Sequence, residues 1–364
     1  MADFSGLRIG LVGPVPPPAG GMANQTRQLM ELLRAGGAKV TLLPTNAPYR
    51  PAWAGQLPGL RALFRLLPYL LSLWRAAGRS DVFHVMANSG WSWHLFCAPA
   101  ILVAHARRVP VVVNYRGGAA ANFLARSQRL VRFAMARSAA LIVPSRFLVE
   151  VFGRFGMGAR VVPNIIDLAR FSGRDDAAAQ RTPGAHLVVA RHLEALYDNE
   201  TALRAFALVR AAVPSATLTL AGSGPEAQRL KDLAHSLGLT EVVHLPGTLD
   251  RDAMAALYRR ADVLLNPSLA DNMPNSVLEA MASGVPVVST NVGGVPFVVD
   301  AGRTGLLVPP GQPQAMADAV MAILTDPALR QHLSSQGLAE AQRYGWPQVA
   351  DTLRQVYASA CAGH

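Results

Sequence analysis

At 364 residues the chain exceeds what one hydrophobic core comfortably fills, and domains of roughly 100 to 200 residues point to two of them. Apolar residues make up 51% and charged residues only 16%, which excludes long disorder, while no apolar run reaches the roughly 18 residues of a membrane span. A net charge of +11 suits anionic partners of several kinds, yet no aromatic-basic RNA motif, zinc finger or recognition-helix signature accompanies it, so nucleic acid is not expected. Cys97 and Cys361 are the only cysteines, too few for a disulfide framework or a cysteine-rich metal site. The opening MADFSGLRIGLVG lacks a secretory pattern, and a cytoplasmic location is expected.

Short β-rich runs then alternate with helical patterns. LRIGLV (7–12), KVTLL (39–43), VFHVM (82–86), PVVVN (110–114) and ALIV (140–143) form a first series. HLVVA (186–190), TLTLA (217–221), VVHL (242–245), DVLLN (262–266), VPVVS (285–289) and GLLV (305–308) form a second. Strand-helix alternation of this kind is the mark of βαβ units, so an α/β fold of two doubly wound, Rossmann-like sheets is expected. Residues 168–185 are polar and rich in small residues and read as a linker. The expected domains are 1–170 and 186–342, followed by a C-terminal segment 343–364. Its helix, near 347–360, is expected to brace both domains, with packing on the C-terminal domain as the alternative. Ligands of open parallel sheets bind beyond the carboxyl ends of the strands, so two such sheets are expected to face one another across a cleft.

Three loops carry candidate chemistry. Gly20 and Gly21 follow the first strand and precede a helix, where backbone amides can approach a diphosphate; an ordinary glycine-rich turn explains them equally. Gly222 and Gly224 in AGSGPE (221–226) stand at another strand-to-helix turn, with Pro225 suited to the first helical position; donor contact is expected there, and an ordinary structural turn explains the same residues. DNMPNSVLEAMASGVPVVSTNVGG (271–294) is the most informative: Asp271 precedes a helix beginning near Asn275, and Glu279 lies one turn in. Carboxylates suit vicinal sugar hydroxyls and helix-end amides suit phosphate oxygens, so the segment can hold a sugar, a phosphate and a ribose together.

With these motifs in place, the chain resembles glycosyltransferase family 4, a retaining family with the two-domain GT-B fold. The carriers are the glycine pair at 20–21, VVPNIID (161–167), AGSGPE (221–226), ADVLLNPS (261–268), the acids at 271 and 279, and GRTGLLVPPG (302–311). The resemblance implies that Glu279 binds the ribose hydroxyls and Asp271 those of the transferred sugar. It further implies that backbone near Met273, Asn275 and Ser276 holds the diphosphate or the sugar, that Gly20 and Gly21 close over it, and that Arg191 neutralises the phosphates. The donor would be a nucleotide diphosphate sugar and the acceptor a glycan or lipid-linked hydroxyl, with no cofactor and no metal.

Several positions depart from that pattern. Tyr197 stands where the family places a lysine that holds the diphosphate with the arginine, and Arg116 in VVVNYRGG is the candidate replacement cation. The first acid is aspartate rather than glutamate, and Phe297 occupies a commonly acidic place. His84 aligns with the first of two frequent histidines and reads as core, Met86 replaces the second, and His94 is a candidate to face the acceptor. A catalytically inactive nucleotide-sugar-binding protein is therefore the alternative. A nicotinamide oxidoreductase lacks its dinucleotide fingerprint, and neither Lys39 nor Lys231, the only lysines, suits a pyridoxal phosphate site. Residues 57–79 interleave Arg61, Arg65, Arg75 and Arg79 with Leu67, Leu71 and Trp74. They read either as an interfacial helix at an anionic membrane or as a crossover helix packed on the sheet.

Overall fold

The computed structural model describes residues 3–17, 20–48, 61–118, 120–172 and 184–363. The chain divides into two compact units, Met1–Ile165 together with Trp346–His364, and Ile166–Gly345.

The first unit is built on six parallel strands: β1 (Arg8–Gly13), β2 (Lys39–Pro44), β3 (Val82–Ala87), β4 (Val111–Tyr115), β5 (Ala140–Val143) and β6 (Arg160–Val161), in the order β2-β1-β3-β4-β5-β6. Every residue of β3 and β4 is buried, as strands covered on both faces must be, which is why these runs are mainly apolar rather than alternating, with His84 and Asn114 as the polar exceptions. Helices α2 (Arg61–Ala77), α3 (Ala98–Ala106), α4 (Ala120–Met135) and α5 (Arg146–Arg154) share one core with the sheet. Helices α1 (Gly21–Ala35) and, from the end of the chain, α12 (Trp346–Ala362) share the other.

The second unit repeats the plan with β7 (His186–Ala190), β8 (Thr217–Ala221), β9 (Val243–Gly247), β10 (Val263–Asn266), β11 (Val287–Thr290) and β12 (Leu306–Val308), ordered β12-β11-β10-β7-β8-β9 and parallel throughout. Helices α6 (Asn199–Ala212), α7 (Ala227–Ser236), α10 (Pro313–Thr325) and α11 (Pro327–Ala341) contribute to one core, and α8 (Arg251–Arg260) and α9 (Asn275–Ala282) to the other. Aspartates start three of these helices by accepting otherwise orphaned amides: Asp198 from Thr201, Asp250 from Ala253, and Asp326 from Ala328 and Leu329. The order of each sheet reverses once, between β1 and β3 and between β7 and β10, and loops at such a reversal diverge to opposite sides and leave room for a ligand.

The unit boundaries differ from those expected. They fall at Ile165/Ile166 and at Gly345/Trp346, because Ile166 and Phe171 already belong to a core of the second unit. Of the expected linker, residues 173–183 lie outside the described residues. The C-terminal helix buries Val349, Leu353, Val356 and Tyr357 in the first unit and not in the C-terminal domain. Tyr357 shares a 2.8 Å hydrogen bond with Nδ1 of His84 on β3, and Phe4 stacks on Trp346 at 5.8 Å. His84 is fully buried, and its Nε2 accepts from Asn114 at 3.0 Å. Burial drives its titration down to about 3, so it is a neutral core histidine.

Two substitutions test this packing. Leu353→Ala should cost about 2–5 kcal/mol for the cavity it opens, and Tyr357→Phe about 1–3 kcal/mol for the ring nitrogen it leaves unpaired. Denaturant midpoints that do not move would contradict the docking of α12 on the first sheet.

Candidate active site

The reversal of the second sheet brings the ends of β7 and β10 side by side. Arg191 is the first residue after β7, and Asp271 lies in the loop between β10 and α9. They form an ion pair through Nη2 and Oδ2, with side chains only 11% and 12% exposed. The Arg191 guanidinium also lies over the ring of Tyr197, 4.2 Å from its centroid, a cation–π contact. Tyr197 closes a short 3-10 turn, Ala195–Tyr197, ahead of α6. The tyrosine in the lysine's place therefore supports the arginine rather than supplying a second charge. Burial first, and Asp271 in part, raises the phenol above its ordinary range, against the lowering effect of Arg191.

Asp271 is fixed on several sides. Its Oδ1 accepts the Asn272 amide at 2.9 Å, Ser268 Oγ lies 3.4 Å from its Oδ2, and its carbonyl accepts the Gly294 amide at 2.9 Å. A Cβ on Gly293 or Gly294 would stand 2.1 Å from the Asp271 carbonyl or 1.9 Å from that of Asn272. Only glycine permits the turn after β11 to press on this loop. The same logic applies beside Arg191: a Cβ on Gly222 would meet the Arg191 carbonyl at 1.9 Å, and one on Gly224 the Leu193 carbonyl at 2.2 Å. Those two glycines thus have a structural reason to be there, as the ordinary-turn reading holds.

Helix α9 begins at Asn275, and its N-cap residue, Pro274, offers no side-chain hydrogen bond to the first turn. Ser276 in that first turn is buried, and its hydroxyl has no hydrogen-bond partner among the described residues. Met273 is buried, and Asn275 is half-buried. Glu279 is half-buried, and its Oε2 accepts from the buried Tyr258 hydroxyl at 3.3 Å. Burial pushes its carboxyl up to about 7, against the lowering effects of Tyr258 and Arg251. The charge of Arg191 also acts on Tyr258, the partner of Glu279. Tyr258, Ser268 and the glycine pair at 293–294 are participants that sequence reasoning missed. The pair was visible as NVGG, but nothing in the spacing told which backbone it would meet.

In the first unit, Gly20 is the extended N-cap of α1 and Gly21 its first residue, with no side-chain cap. Arg116, just after β4, gives its guanidinium to three amide oxygens: Asn114 at 3.2 Å, Gln25 at 3.4 Å, and Asn164. Burial lowers its titration to about 10. Gln25 also holds Ile165 by both backbone groups, at 2.8 and 3.0 Å. His94 packs edge-on to Trp91 and Phe123 and lies 3.5 Å from Ser127 Oγ. A cavity of about 310 Å³ lined by Arg132, Leu141 and Met157 sits at the amino end of β5, away from the strand ends where ligands of such sheets bind. Among the described residues, no three His, Cys, Asp or Glu side chains gather as metal ligands.

Comparison with known proteins matches both halves. The family described as glycosyl transferases group 1 aligns with residues 178–339, and the one described as Glycosyltransferase Family 4 with residues 19–170. The two matches together span most of the chain and support a family 4, group 1 glycosyltransferase. A relative named D-inositol 3-phosphate glycosyltransferase, from Corynebacterium jeikeium, is 30% identical over 225 residues. That alignment takes in 58% of this chain and 54% of the relative, so the matched segment spans about half of that protein's length. Sucrose-phosphate synthase from Thermosynechococcus elongatus superposes with a TM-score of 0.80 at 24% identity, covering 98% of this chain and 100% of that one. HepE from Anabaena, solved in complex with UDP, superposes with a TM-score of 0.74 at 18% identity, covering 97% and 100%. These likenesses establish the GT-B fold, with two six-stranded parallel sheets flanked by helices.

A carboxylate raised to about 7 makes the site pH-sensitive. Glu279 binds its proton more tightly in the folded protein than in the unfolded chain, so its contribution to stability is complete below 4.5 and is lost as pH rises through about 7. Hydroxyl groups donate to the charged form, so nucleotide affinity should instead rise with pH, by up to about tenfold per unit below the titration point. Calorimetry across this range should show that slope, and Glu279→Gln should flatten it while raising the melting temperature under alkaline conditions. A slope that the glutamine variant keeps would remove Glu279 from the nucleotide site.

Proposed function

We propose that the chain is a retaining glycosyltransferase that moves a sugar from a nucleotide diphosphate sugar to a hydroxyl of a glycan or lipid-linked acceptor. The observation that carries this reading is Arg191, held between Asp271 and Tyr197 at the sheet reversal and paired with an acid suited to sugar hydroxyls. The names of the relatives and the UDP complex of the Anabaena neighbour support the choice of donor.

In this reading Glu279 receives the ribose hydroxyls, and the first amides of α9 near Asn275 and Ser276, with Met273 beside them, receive phosphate or sugar oxygens. The unpartnered Ser276 hydroxyl supplies one further donor. Asp271 accepts hydroxyls of the transferred sugar. Arg191 neutralises the diphosphate as the bond from the anomeric carbon to the phosphate oxygen breaks. The acceptor oxygen bonds to that carbon from the face the diphosphate leaves, and its proton passes to the departing phosphate oxygen. No protein nucleophile, cofactor or metal is required, because positioning and a preorganised cation do the work. In the first unit Gly20 and Gly21 offer backbone amides to the donor. Arg116, with amide oxygens but no carboxylate against its guanidinium among the described residues, is the candidate replacement cation, and His94 the candidate acceptor contact.

A second reading keeps donor binding without transfer. It is favoured by Tyr197 in the lysine's place and by the engagement of Arg191 with Asp271.

A thermal-shift panel of UDP, GDP, ADP and their sugars names the donor, since a ligand at a hundredfold excess over Kd adds about 2.7 kcal/mol. Glu279→Ala should abolish the shift. Single-turnover incubation with the stabilising donor should then give a transferred or hydrolysed sugar, and Arg191→Ala should slow that step by about a hundredfold or more. Binding with no turnover of any donor leaves the second reading standing; no binding of any of them removes both.

A further inference from the structure

The positive charge of this protein belongs to one unit. Residues of the first unit include twenty Lys and Arg against five Asp and Glu, a net +15, whereas the second holds fourteen against eighteen, a net −4. Between Glu31 and Glu150 the sole acid is Asp81, and Arg8 already pairs with it. Helices α2, α3 and α4, which cover one face of the first sheet, therefore contain no acid at all.

The same helices carry a second apolar stripe besides the one they bury. On α2, Tyr69, Leu73 and Ala76 enter the core, while Leu67, Leu71 and Trp74, spaced as a ridge on the opposite side, are 53%, 56% and 48% exposed. On α4, Leu130 and Phe133 are 63% and 52% exposed. Around these ridges stand exposed Arg75 and Arg79 on and after α2, Arg107 and Arg108 after α3, and Arg129 and Arg132 on α4. Arg107 lies over Trp74 at 4.8 Å and Arg137 over Phe133 at 3.7 Å. Each aromatic ring thus has a cation at its face and its remaining edge free. Exposed apolar side chains scattered singly need no explanation, but ridges of them set in an acid-free field of arginines do.

We propose that the α2–α4 face of the first unit docks on an anionic lipid bilayer, with Leu67, Leu71, Trp74, Leu130 and Phe133 entering the acyl boundary and the arginines meeting head-group phosphates. Charge complementarity selects this occupant. A second copy of the chain meeting this face with its own would bring a like charge of the same size. A nucleic acid would meet the arginines but offer no apolar phase to the leucines. Shallow insertion of an amphipathic surface, strengthened by anionic lipid, fits both features at once. The proposal concerns the first unit alone and stands whether or not the chain transfers sugar.

Co-sedimentation of the full chain with vesicles tests it. Vesicles of phosphatidylcholine mixed with phosphatidylglycerol should retain the protein, pure phosphatidylcholine should not, and added salt should release it. Leu71→Glu on one ridge and Leu130→Glu on the other change exposed side chains, so circular dichroism and the nucleotide thermal shift should be unaltered, while partition should fall by about tenfold in each. Glu279→Ala should keep vesicle binding, which separates this proposal from the nucleotide site. Equal binding to both vesicle types, binding that survives both substitutions, or retention by RNA with none by vesicles overturns it.

Discussion

The ion pair between Arg191 and Asp271 joins residues 80 positions apart in sequence at the ends of neighbouring strands. Placing two opposite charges largely out of water gains little by itself, since desolvation offsets their attraction. The pair persists because everything around it has been committed to holding it: the Tyr197 ring under the guanidinium, the Asn272 amide on the carboxylate, and glycine backbones pressed against both loops. Glu279 adds to the same debt, a carboxylate held where water cannot solvate it well. A fold that tolerates such groups at its strand ends has arranged its stability elsewhere, in the two aliphatic layers on either side of each sheet.

The first unit handles polar burial differently. Its interior network runs from Arg116 through Asn114 to His84 and on to Tyr357, with Gln25 and Asn164 at the arginine end. Side-chain amides accept from the guanidinium, so the charge is spread over dipoles and is not cancelled by an acid. Satisfied networks of this kind specify one arrangement of the elements they join, here β3, β4, α1 and α12.

The strands were legible because parallel sheets bury both faces, and the resulting runs of Val, Ile and Leu, such as HLVVA and PVVVN, stand out between helical patterns. The loop position of Asp271 and the helical position of Glu279 were legible from the proline and the periodicity that follow it. Strand order was not, because pairing between runs far apart leaves no local trace, and with it went the contact of Arg191 with Asp271. Tyr258 reads as an ordinary helical residue until Glu279 on the next helix is seen beside it, and Ser268, three positions before Asp271, as one more loop serine. Residues 57–79 were read as either core or surface, and α2 is both, since a helix can present two apolar stripes when only one is needed for packing. The boundary was misplaced because polar composition marks where a chain is irregular, not where its contacts divide.

The return of α12 to the first sheet makes the second unit an insertion within the first. A ribosome releases residues 166–345 as an uninterrupted stretch, so that unit has all its strands before the first has its full complement of helices. The face of the first sheet bearing Ile9, Leu11 and Val112 waits for the last helix to cover it. Order of synthesis and order of completion are thus reversed, and part of the aliphatic surface of the unit made first stays uncovered until α12 has been made.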